Sequence, residues 1–136
     1  MRPARVLLRY AWAAPATIVG LALAGIAGAF GATACVRKGV VEVAGGRLTR
    51  FVGSSGPLRL IAITFGHVVL GVTHSALERE RAHEHAHVRQ YERWGVLFFP
   101  LYAASSCLAI LRGGEAYRSN AFERQARAAA LKPASS

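Results

Sequence analysis

From Ala11 to Val36 the chain runs for 26 residues without a formal charge, bracketed by Arg9 and by Arg37-Lys38. About 20 apolar residues suffice for a helix to span a bilayer. The run therefore reads as one transmembrane helix over residues 11–36, preceded by a basic segment over 1–10. Pro15 would fall in its opening turn, where a missing N–H costs nothing. Ala16, Gly20, Ala24, Gly28 and Ala32 recur every fourth residue and form a small-residue stripe against which another helix can pack closely. A secretory signal is the rival reading, with Arg2, Arg5 and Arg9 as its basic start and Ala32-Thr33-Ala34 before Cys35 as a cleavage site. The apolar stretch is longer than such signals need. The net charge of +10 suits anionic lipid headgroups. Nucleic acid is not an expected partner, because the arginines are scattered rather than gathered with aromatics into a stripe. These features predict an integral protein of the inner (cytoplasmic) membrane, with membrane lipid as a partner and its orientation open, since basic residues flank both ends of the run.

The remaining chain predicts an α+β fold. Val40 to Phe51 reads as a hairpin turning at Gly45-Gly46, followed by a polar loop at Gly53-Ser54-Ser55-Gly56-Pro57. Leu60 to Val72, rich in Ile, Val, Thr and Phe and broken by Gly66 and Gly71, reads as a strand or bent strand pair. Ser75-Ala76-Leu77-Glu78 has the form of a capping box, so a helix should begin near Ala76 and stop at Gly95. Trp94 to Leu111 is a second uncharged run, 18 residues long and interrupted by Gly95 and Pro100. It is expected to be re-entrant or packed in the core, with Ala103, Ala104, Ser105 and Ser106 against the first helix. Asn120-Ala121-Phe122-Glu123 opens a short terminal helix. A domain over 37–131 and a disordered tail over 132–136 complete the plan.

The chemistry lies in the central helix. At 100° per residue, Ala76, Glu80, His83, Glu84, His87, Gln90, Tyr91 and Trp94 share one face. Glu78, Arg81, His85, Arg89, Glu92 and Arg93 take the other, where water or headgroups are expected. Two imidazoles and a carboxylate on a buried face are costly unless partnered. His83-Glu84-His85-Ala86-His87 is an HExxH motif. Its histidines, one helical turn apart, can hold one Zn²⁺ while the glutamate acts as general base on a bound water. The chain has no Asp, so a third carboxylate ligand must be a glutamate. Glu123 is the candidate, with Glu115 as an alternative and His67 and His74 as further donors.

Residues 66–126 resemble a family of small, largely uncharacterised bacterial membrane proteins with a gluzincin-like HExxH…Glu motif. The shared pattern is Gly66-His67-Val68-Val69-Leu70, His83 to His87, Gln90 through Gly95, Pro100-Leu101-Tyr102, Ala116-Tyr117, and Asn120-Ala121-Phe122-Glu123-Arg124-Gln125-Ala126. Ala121 departs from it, standing where proline is expected. The resemblance implies a minimal zincin-like fold, His83, His87 and Glu123 as zinc ligands, and Glu84 as catalytic base. The expected activity is hydrolysis of a peptide or protein substrate by a membrane-associated zinc metallopeptidase, with Tyr117 or Tyr102 as oxyanion donors. The alternative is a non-catalytic zinc-binding or structural membrane protein with a degenerate HExxH site. One topological condition follows: if residues 94–111 crossed a bilayer, His87 and Glu123 would lie on opposite sides and share no metal.

Overall fold

A computed structural model describes residues 2–47 and 62–132. The fold is α+β, with helix α1 (Pro3–Ala29), strands β1 (Thr33–Arg37), β2 (Val40–Ala44), β3 (Ala62–Phe65) and β4 (Val68–Gly71), helix α2 (His74–Trp94), a 3₁₀ turn (Gly95–Leu97), and helices α3 (Phe98–Leu111) and α4 (Ala121–Ala130). The four strands form one sheet in the order β1-β2-β4-β3. β2 runs parallel to β4, and the other two pairings are antiparallel.

The first apolar run is not one helix over 11–36. It is helical only to Ala29, and its last residues form β1, so a domain boundary at 36/37 would cut the β1–β2 hairpin. Pro3 occupies the first turn of α1 and Pro15 lies in its interior. The hairpin turns at Lys38-Gly39, where both residues have positive φ (52° and 77°). That is the backbone of a primed two-residue turn, whose twist matches that of paired strands. Gly45-Gly46 instead follows β2, and Leu48, Phe51, Gly53–Pro57 and the tail over 133–136 lie outside the described residues. The bent strand pair expected over 60–72 is the β3–β4 hairpin, turning at Gly66-His67.

The sheet is sandwiched between helices. Val40, Ala44 and Val69 pack with Leu77 and Val88 of α2. Alternation along a strand turns Val68 to the opposite face, where α1 lies so close that a Cβ on Gly20 would come within 2.7 Å of the Val68 Cβ. Of the small-residue stripe, Ala16 and Gly20 are buried, Ala24 is half-buried and Gly28 is exposed. Gly20 thus seats a hairpin rather than a helix, while Ala13 and Ala16 pack with Tyr91 and Phe98. Gly66, at φ +60°, presses against Thr17, leaving no room for a Cβ. Gly66→Ala should lower stability by about 1–3 kcal/mol, read by chemical denaturation, because it combines left-handed strain with a clash.

α2 begins earlier than the capping box implied. The Thr73 hydroxyl, not Ser75, accepts from the Ala76 amide at 3.0 Å, and Gly95 ends the helix at φ 57°. Ser105 and Ser106 of α3 turn to the start of α4 rather than to α1: the Ala121 amide donates to Ser105 Oγ (2.9 Å) and Asn120 Nδ2 donates to Ser106 Oγ (2.7 Å). Pro3–Ala29 and the continuous stretch His74–Leu111 are both long and apolar enough to cross a membrane.

Candidate metal centre

His83 and His87 project from the buried face of α2 toward α4 because they stand one helical turn apart. Asn120 starts α4 where it does. Its side-chain oxygen accepts from the Phe122 amide (2.8 Å) and the Glu123 amide (3.4 Å), and its Nδ2 donates to Tyr102 O (3.0 Å). This fully buried cap aims Glu123 at the imidazoles. His83 Nε2 lies 3.0 Å from Glu123 Oε2. His87 Nε2 lies 3.2 Å from that oxygen and 3.2 Å from His83 Nε2. All three residues are buried, and together they can hold a metal ion.

The donor set fits that role. The edges of this triangle are close to the roughly 3.3 Å edge of a tetrahedron built on Zn–N bonds of about 2.0–2.1 Å. The His87 tautomer is set by its surroundings. Gln90 Nε2 donates to Phe122 O (3.0 Å) and to Gln125 Oε1 (2.8 Å), so Gln90 turns its oxygen to His87 Nδ1 at 2.8 Å. Nδ1 therefore carries a hydrogen, and Nε2 is the His87 atom that faces the triangle. A carbonyl-type acceptor behind a ligating imidazole is a recurring way to orient a metal ligand. Groups converging this closely are held together by imidazole protons or by a cation in their place.

Glu123 gains a third partner, since Tyr102 donates to its Oε1 at 2.7 Å. Burial alone would raise the Glu123 pKa, but the hydrogen bonds from His83 and His87 outweigh it and hold the carboxyl far below its usual range. Tyr102 is thus committed to orienting Glu123 and is not an available oxyanion donor. Tyr102→Phe should weaken metal binding about 10-fold, measured by competition with a chromophoric chelator, because outer partners of this kind contribute that much to affinity. Tyr117 also interacts with Glu123 but is more accessible than Tyr102. It is more than half exposed, and burial of part of its ring together with the Glu123 and Glu84 charges pushes its hydroxyl up to about 12. It remains a proton-bearing donor at neutral pH.

Glu84 is buried, and that burial raises its carboxyl above the ordinary value against the opposing pull of Thr64, His87 and His83; Thr64 of β3 donates to its Oε2 at 2.6 Å. The other suggested donors lie elsewhere. His74 Nε2 is 2.6 Å from the Thr33 hydroxyl, His67 stacks on Tyr10 at a centroid distance of 4.0 Å, and Glu115 is exposed in the turn before α4.

The chain matches no protein-family model, and no curated protein or solved structure is similar to it. Its chemistry rests on its own residues.

The pattern on α2 did not reveal the role of Glu42. Its side chain is almost fully buried in the sheet and grips the face of α2 expected to meet solvent. Arg81 Nε and Nη2 donate to its two oxygens at 2.9 Å each, and His85 Nε2 stands 3.1 Å away. Burial would raise Glu42, but Arg81 and His85 outweigh it and hold the carboxyl below its ordinary value. Glu42 pairs with Val69, and Val69 with Thr64. One row across the sheet therefore fixes both Arg81-His85 and Glu84, and with them the rotation of α2. The available signal was a single glutamate in an otherwise apolar strand, with Arg81 and His85 four residues apart on one helix.

Proposed function

We propose that this is a membrane-associated zinc metallopeptidase of the inner membrane, a minimal gluzincin-like enzyme acting on peptide or protein substrates. The observation that carries the reading is the convergence of His83, His87 and Glu123 on one point, with the buried Glu84 carboxylate within electrostatic reach of all three. Two imidazoles and one carboxylate are a donor set typical of catalytic zinc. When bound, zinc supplies Lewis-acid polarisation of a carbonyl and acidifies water.

The chain's own groups supply the rest. Thr64 holds one Glu84 oxygen, leaving the carboxylate oriented to take a proton from water and pass it to the leaving amine. Tyr117 offers its hydroxyl to the oxygen that gains charge when the carbonyl is attacked. Gln90 and Tyr102 keep His87 and Glu123 in place.

A second reading, a structural zinc site without turnover, is favoured by one observation: all three ligands are buried, and structural sites are closed whereas catalytic ones keep a position open to water. Zinc-loaded protein assayed against a quenched peptide library separates the two. Cleavage abolished by a chelator and restored by zinc supports the enzyme. Tight zinc binding without cleavage supports the structural site.

A further inference from the structure

The two ends of the uncharged run meet. Tyr10, just before Ala11, donates its hydroxyl to Gly39 O at 2.8 Å, and Gly39 lies just beyond Arg37-Lys38. Further along α1, the His67 amide donates to Thr17 Oγ1 (3.0 Å), Gly20 abuts Phe65 and Val68, and the Arg47 amide donates to Phe30 O (3.0 Å). These contacts cover residues 10 to 30, about 30 Å of helix, which is the thickness of a bilayer's hydrocarbon core. An upright α1 would drag the sheet, whose outer strands among the described residues are β1 and β3, to the depth of the acyl chains. Open sheet edges are not tolerated against lipid there.

We infer that α1 is a layer of the fold lying in the plane of an anionic phospholipid surface, its outward stripe sunk at the level where headgroups meet acyl chains. The inference rests on the fold and is independent of the hydrolase reading. At 100° per residue, Leu7, Ala11, Ile18, Ala22, Gly25 and Ala29 fall opposite the face packed on the sheet, and all six are exposed. Leu7 is 70% and Ile18 65% accessible. The stripe is uncharged for its full length, a pattern that suits shallow in-plane insertion. The basic residues at its borders, Arg2, Arg5, Arg37 and Lys38, are exposed at the flanks where long cationic side chains reach headgroup phosphates. With a net charge of +10, an anionic bilayer is the complementary occupant.

Topology labelling tests this. In full-length protein carrying Cys35→Ser and Cys107→Ser, Arg2→Cys and Arg37→Cys should react with a membrane-impermeant maleimide from the same side of the membrane. Reaction from opposite sides means that α1 crosses, and overturns the inference. Flotation with phosphatidylglycerol vesicles is the second arm. Leu7→Glu, Ile18→Glu and Ala22→Glu combined should lower the bound fraction at least tenfold while circular dichroism is unchanged. Undiminished flotation of that folded variant, or a wild type that forms a stable dimer and does not float, contradicts it. Should the triple variant fail to fold, the labelling pair decides alone.

Discussion

Glu84→Gln should retain bound zinc and lose peptide hydrolysis by about 10²–10⁴-fold, the usual contribution of a positioned general base. The substitution keeps the side chain's shape and its acceptor oxygen for the Thr64 hydroxyl, which lies 2.6 Å from Glu84 Oε2. It removes only the ability to take a proton. Glu84 is not one of the three converging donors, so metal content should match wild type within error. Loss of metal along with activity would instead make Glu84 a ligand. Retained activity would show that another group carries the proton, or that the cleavage comes from a contaminant.

The second large effect concerns stability. Arg81→Met leaves the buried Glu42 carboxylate with His85 alone, and breaking a buried ion pair from one side commonly costs about 3–5 kcal/mol. Because Arg81 is itself partly exposed and His85 remains 3.1 Å away, a loss of about 3 kcal/mol is expected. That corresponds to a fall of roughly 10 °C in melting temperature for a domain of this size. The pH dependence has a definite sign. Glu42 titrates below its ordinary value in the folded chain, so its contribution is fully present above that value. It is lost as pH falls through the lowered one. Glu42→Gln should therefore flatten the acid limb of a stability-against-pH curve measured by thermal unfolding. An unchanged acid limb would mean that Glu42 gains nothing from its partners.

The parts of the site that sequence made legible are local. The HExxH spacing, the Gly95 stop and the Asn120 cap act within a few residues, so helical periodicity and capping chemistry locate them. The meeting of Glu123 with His83 and His87 depended on α4 folding back across α2, and the cap aimed Glu123 correctly because Asn120 is itself anchored to α3 through Tyr102 O and Ser106. The N-terminal half was harder to read. An uncharged run does not distinguish a helix in lipid from a helix against a sheet, and Thr33 to Val36 carry no signal that the helix has ended. Lys38-Gly39 and Gly45-Gly46 both suit a tight turn, and the pairing of β2 with β4, a non-local contact, selects the first. Glu42 was invisible for the same reason. Its partners are 39 and 43 residues away in sequence, and only the sheet brings them to it.

The central claim is that three side chains from two helices hold one metal ion. Metal analysis of the purified full-length protein, paired with His83→Ala, tests it most directly. The account predicts about one equivalent of zinc in the wild type and close to none in the variant, with both proteins folded. Wild-type protein that takes up no zinc at micromolar concentrations, or a His83→Ala protein that binds it equally well, would contradict the account.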